Sequence, residues 1–314
     1  MMASLITLCP RLAQVLDAVR VDANCRRARV GDRELDTAST RELRHRLSDA
    51  LYETFHAGYR ADDGPPPRTT RDILLENRFT AAMPHVHTIT RAPLIATGDS
   101  GMTVELDGLR VRLDPSTPGP DTDHGIGALV NIAVDATYPT LSPGFFLAKG
   151  SRGQPRHGEL IRLYIHLESA DAAVAAWSTT IGHLEQQRLP YQAKVLSNPQ
   201  LYPRHDSLVV YLGPEALRDV HTLTEKITTI GGLGEPTSLF AEQLAPGISI
   251  AWEPRDSRPG MAGLSFGQHR ATAIAEGIVR HAENQHPELN PADTVTAALL
   301  QAGINPANPA RNIT

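Results

Sequence analysis

Lys194 and Arg204 stand ten residues apart in PYQAKVLSNPQLYPRHDSLVVYL, residues 190–212, and this pairing suits phosphate chemistry. An amine that can give up its proton can act as a base, whereas a guanidinium keeps its charge and grips anion oxygens in pairs. Upstream, ELIRLYIHLE alternates so that Arg162, Tyr164 and His166 share one strand face. With Lys194 as base, Arg162 and Arg204 as clamp, Tyr164 or His166 as acid and Tyr211 as a further hydroxyl, such a face has the parts to remove a proton beside a bound phosphate. Each residue also has a plainer reading. Arg162 and Arg204 would serve as ion-pair residues of a half-exposed sheet, Tyr164 and Tyr211 as buried strand aromatics, and His166, His205 and His269 as surface or supporting groups. Taken alone, these residues define an α+β protein with an anion site.

The elements that must position them follow from periodicity. Leu5, Leu8, Leu12, Leu16 and Val19 recur at helical spacing, as do Leu43, Leu47, Leu51 and Phe55 in residues 39–59, with a small hairpin or loop between them around Gly31 and Asp32. Gly, Pro and Asp concentrate in residues 58–72, which reads as a linker before a short helix at 72–79. Strands are expected from 87 to 114 about a turn at Asp107 and Gly108, then a loop at 115–127 and another strand at 128–134. PGFFLAKG forms a strand ending at Lys149 and enters a basic, glycine-containing loop. After the 159–168 strand, Ser169 caps a helix to about 187; strands around Lys194 and at 207–212 follow. Pro214 opens a helix stopped by Gly231 and Gly232, so GGLGEP reads as a helix stop, not a nucleotide loop. Residues 236–260 read as an irregular rim loop. SFGQHRATAIAEGIVRHA is a helix whose first turn carries His269 and Arg270, and a short helix at 292–302 precedes a tail read as disordered. The expected architecture is an N-terminal helical module (1–75), a mostly antiparallel sheet domain flanked by helices (76–290), and a short helix with a C-terminal tail (291–314).

Composition narrows the classes. The 35 acidic and 30 basic residues are dispersed along the 314-residue chain, which argues against nucleic acid as a partner. The start lacks a basic n-region and no run approaches a membrane span, so no membrane role is indicated. Cys9 and Cys25 have neither CxxC spacing nor a Cys/His cluster; no metal is expected, and a reducing, cytoplasmic setting fits. Only three of the 30 basic residues, Lys149, Lys194 and Lys226, are lysines; in so arginine-rich a chain a lysine is weak evidence of a need for lysine, since Lys226 reads as a solvated helix charge.

PGFFLAKG, IRLYIHL, the 190–212 run and SFGQHR resemble the HopA class of type III secretion effectors and its bacterial relatives in peptide-natural-product clusters, over roughly residues 95–285. That class is in turn similar to the OspF/SpvC type of phosphothreonine lyases. The resemblance implies a cofactor-independent β-elimination of phosphate from phosphoserine or phosphothreonine in a ribosomal precursor peptide, giving dehydroalanine or dehydrobutyrine, as in lanthipeptide maturation. It implies Lys194 as base, Arg204 as phosphate arginine and Tyr211 as the tyrosine. Arg162 stands where the lyases have lysine, and Tyr164 where they have the histidine acid. Arg270 is a further phosphate ligand in this reading, with Lys149, His166 and His269 as supporting residues. The chain has neither a VAIK-like strand nor HRD with DFG, so a separate kinase partner would supply the phosphopeptide, in a heteromeric complex docked on the N-terminal helices. The alternative is a non-catalytic phosphopeptide- or kinase-binding effector or scaffold.

Overall fold

The computed structural model describes residues 7–59, 67–98, 101–106, 108–113, 125–155, 159–284 and 290–313. Leu5, residues 60–66 of the expected linker, the turn residue Asp107, residues 115–124 of the expected 115–127 loop and part of the loop after Lys149 lie outside the described residues.

The first third is helical with a small sheet laid into it. Helix α1 (Pro10–Asp17) has proline in its first turn, where a missing N–H costs nothing, and ends before Val19, which belongs to strand β1 (Val19–Val21) and not to the helix. β1 pairs with a hairpin of β2 (Arg27–Val30) and β3 (Arg33–Asp36). α2 (Thr40–Leu51) starts at Ser39, whose hydroxyl accepts from Glu42 N–H while the Glu42 carboxylate accepts from Ala38 N–H, a capping box. It runs on into a π-helical turn, Tyr52–Ala57, closed by Gly58 at φ +82°. α3 is Ile73–Ala81.

Four antiparallel strands then form a sheet of order β6-β5-β4-β7: β4 (His87–Gly98), β5 (Gly101–Leu106), β6 (Leu109–Leu113) and β7 (Leu129–Asp135). The main sheet has seven strands, order β13-β14-β10-β12-β11-β9-β8, every pairing antiparallel. They are β8 (Thr137–Ser142), β9 (Phe145–Lys149), β10 (Ile161–Leu167), β11 (Tyr191–Leu196), β12 (Arg204–Leu212), β13 (Glu242–Ala245) and β14 (Ile248–Trp252). The rim loop expected at 236–260 thus contains a hairpin, and β14 pairs directly with β10. Every residue of β10 is buried, because helices and loops cover both faces; the alternation of ELIRLYIHLE marks two chemically different buried faces, not one wet and one dry.

α4 (Ala170–Gln186), capped by Ser169, and α5 (Leu217–Thr228) flank the sheet with Trp177 packed on Phe146 and Phe79. α6 (Phe266–Asn284) begins with a second capping box, Ser265 and Gln268 exchanging hydrogen bonds with each other's backbone N–H; this accounts for the Ser and Gln of SFGQHR. Gly267 is required there, since a Cβ would stand 2.2 Å from the His56 ring. α7 (Pro291–Gln301) completes the chain's helices among the described residues. The tail is ordered where it was expected to be disordered: Ile304 and Ala310 are buried, and Ala310 C=O accepts from Trp252 N–H. One apolar cluster runs from Leu12 to Ala310, while Ala92, Leu94, Val104, Val130 and Ile132 form a separate one in the four-stranded sheet. No helix among the described residues is long and apolar enough to cross a membrane.

Candidate functional site

Cross-strand register assembles the site on one face of the main sheet. Lys194 lies opposite Val209 and Val209 opposite Tyr164, with Ser249 next in the row. The adjacent row reads Lys149, Gln192, Tyr211, Arg162 and Ala251. Opposed residues in antiparallel strands point the same way, so Lys194 and Tyr164 share a face about 10 Å apart. Simple alternation from Tyr211 would send Arg204 and Asp206 to the other face. β12 leaves regular register with β10 between Ile165 and Leu167, at Arg204 and Asp206, and the contacts there decide where they reach. Arg204 then reaches the rings of Tyr59 and Phe145, at 4.8 and 5.7 Å, and the Lys194 ammonium lies 4.2 Å from the same Phe145 ring.

Charge is distributed unevenly. Arg204 is buried and donates through Nε and Nη2 to Asp206 at 2.7 and 2.8 Å and through Nη1 to the Tyr59 hydroxyl at 2.9 Å. Burial alone would raise the Asp206 carboxyl, but Arg204 beside it holds it below the usual range. The Tyr52 hydroxyl donates to the same carboxylate at 3.3 Å. Arg162 is likewise engaged: Glu253 accepts from Nε and, at 2.6 Å, from Nη2, and the guanidinium lies 4.9 Å over the Tyr211 ring. Lys194 differs. It is half-buried, and no hydrogen bond or direct ion pair holds its ammonium among the described residues, although Asp206 lies near enough to feel its charge.

The acid candidates separate clearly. Tyr164 is buried, its hydroxyl makes no hydrogen bond of good geometry, and burial pushes its pKa up while the nearby Arg162 opposes the rise, so the hydroxyl stays protonated. His56 packs edge-on against it at 5.1 Å. His166 is spent elsewhere: Nδ1 meets the Pro236 carbonyl at 2.8 Å, and burial lowers its pKa, which favours the neutral ring. Arg270 is fully buried, near enough to Arg162, Tyr164 and Glu253 to feel their charges, but its own hydrogen bonds go elsewhere. Its Nε donates to Pro309 C=O and Nη2 to Asn312 Oδ1, Nη1 meets His269 Nδ1 at 3.0 Å, and burial pushes it down to about 9. His269 Nε2 in turn meets Asp256 Oδ2 at 3.0 Å. Arg270 and His269 therefore hold the C-terminal segment and the 253–258 loop. Lys149 stands over Tyr138, its ammonium 5.1 Å from the ring, at the far end of the second row. Asp206, Glu253, Tyr52, His56, Tyr59, Phe145 and Gln192 are the participants sequence reading missed; Asp206, two residues after Arg204 in RHD, carried the one local signal.

An antiparallel seven-stranded α+β fold with a lysine and two carboxylate-paired arginines on one sheet face defines the class. The chain belongs to the HopA1 effector protein family, whose family model matches residues 136–311, so the match starts later than the resemblance suggested and includes the tail. Its fold is similar to that of the effector protein from Pseudomonas syringae pv. tomato strain DC3000, at 16% identity and TM-score 0.50, covering 87% of this chain and 96% of that one. The effector protein from Pseudomonas syringae pv. syringae strain 61 compares at 15% identity and TM-score 0.49, over 85% and 90% of the two chains. No curated protein sequence matches.

Proposed function

We propose that this HopA1-family protein eliminates phosphate from phosphoserine or phosphothreonine in a ribosomal precursor peptide phosphorylated by a separate kinase. The observation that carries the reading is Lys194: a half-buried ammonium, over an aromatic ring, with no direct hydrogen bond or ion pair of its own, on a sheet whose two arginines each have a carboxylate. As the free amine it takes the substrate's α proton; the electron pair forms the Cα–Cβ double bond and the Cβ–O bond breaks to release phosphate. Tyr164, protonated and unpartnered, donates to the departing phosphate oxygen. Arg162 bears on that oxygen's charge, while Arg204 shapes the field around Lys194 and is held by Asp206. The carboxylates on both arginines favour, as the second reading, a protein that binds a phosphopeptide or kinase without turnover.

Incubation with phosphopeptide, followed by mass spectrometry, separates the two readings. Loss of phosphoric acid is expected, and Lys194→Ala should reduce it by at least ~10²-fold while leaving phosphopeptide binding intact. Binding without elimination by the wild type would leave the scaffold reading standing.

A further inference from the structure

Arg162 and Glu253 form a pair of unequal depth. The Arg162 side chain is 8% exposed and that of Glu253 33%, so the guanidinium lies inside the sheet and the carboxylate covers it from the solvent side. Glu253 takes the Nε–Nη2 edge, one of the two edges on which a guanidinium accepts a carboxylate or a phosphate in bidentate fashion. The seat is shaped by more than that pair. The Tyr211 ring lies under the guanidinium, and the unpartnered Tyr164 hydroxyl is close enough to feel the charges of both Arg162 and Glu253. Glu253 is itself anchored through its main chain, its N–H to Leu160 C=O and its C=O to Asn312 Nδ2, so the side chain can swing aside while the backbone stays fixed.

We propose that Glu253 is a specificity residue, an internal carboxylate that occupies the anion seat on Arg162 and yields it to phosphate but not to another carboxylate. This rests on the phosphopeptide reading above. A substrate Asp or Glu offers Arg162 the same chemistry that Glu253 already provides, and an intramolecular ligand has the advantage of high effective concentration. A phosphate dianion brings more charge and a third oxygen, which can also accept from Tyr164. The seat therefore rejects acidic peptides, which resemble phosphopeptides in charge, and admits phosphorylated ones.

The test compares three versions of one peptide, carrying Thr, phosphothreonine or Glu at the same position, against wild type and Glu253→Gln by calorimetric titration. Wild type should prefer the phosphothreonine peptide and treat the Glu and Thr peptides alike. In Glu253→Gln the Glu peptide should gain about tenfold or more in affinity, the Thr peptide nothing, and the phosphate-over-carboxylate preference should shrink. No gain for the Glu peptide overturns the inference, even where wild type prefers phosphate and the phosphopeptide reading stands. If wild type shows no phosphate preference, that reading fails, and a Glu-peptide gain in the variant alone still supports Glu253 as the competitor on Arg162. Should the amide variant melt early, Glu253→Ser, which leaves room for water on Arg162, answers the same question.

Discussion

Arg204 and Asp206 sit two residues apart with both side chains buried, joined by two parallel hydrogen bonds, and their partners Tyr59 and Tyr52 come from the first third of the chain. A buried ion pair adds little over an apolar pair, but removing one member strands the other charge away from water. Asp206→Asn should therefore destabilise the protein by about 3–5 kcal/mol in urea unfolding. A loss under about 1 kcal/mol would mean that Arg204 finds water in the folded state. Lys194 and Arg204 were legible in the sequence as a pair of types. That Arg204 comes to it already neutralised was not, because an arginine in a strand looks the same whether its carboxylate is near or far.

The C-terminal segment acts as a strap across the end of β14. Asn312 bridges two elements, its Oδ1 accepting from Arg270 on α6 and its Nδ2 donating to Glu253 C=O just beyond β14. Arg311 stacks 3.7 Å over Trp252, and Asn308 donates to Glu242. Asn312→Ala leaves the buried Arg270 short of an acceptor and should cost about 1–3 kcal/mol, read as a lowered midpoint in chemical denaturation. An unchanged midpoint would show that the strap contributes nothing at that residue. Sequence reading took this polar, proline- and asparagine-rich stretch for disorder because its apolar content is low; its order comes from hydrogen bonds to distant elements. The β13–β14 hairpin escaped for a related reason. β14 is only five residues long, and the brief alternation of Ile248, Ile250 and Trp252 in ISIAW is lost among the prolines, glycines and polar residues around it.

At the scale of the molecule, the layer between the π-helical turn and the main sheet holds neutral histidines. Burial pushes His56 down to about 3, and burial together with His166 pushes His205 down to about 4. The unfolded chain binds these protons near pH 6.5 and the folded chain does not. Their contribution is therefore complete above about pH 6.5 and is lost as pH falls from there toward about 4 for His205 and about 3 for His56, by at most about 1.4 kcal/mol per pH unit for each site. Asp206, held low by Arg204, has the same sign but acts only below about pH 4. Urea midpoints measured from pH 7 to 4.5 should fall steadily, and His205→Gln should flatten the curve. A flat wild-type profile would show that both rings are protonated within the fold.

The sequence by itself determined the α+β class, the strand carrying Arg162 and Tyr164, the strand carrying Lys194, and the capped start of α4, because periodicity and caps are decided by residues within one turn or pleat of each other. Tertiary structure alone decided which charges remain free. Arg204 and Lys194 met over the Phe145 ring, Glu253 reached Arg162 from 91 residues away and Tyr59 reached Arg204 from 145. Partner choice over such separations is set by how the sheet closes, and no local pattern encodes it.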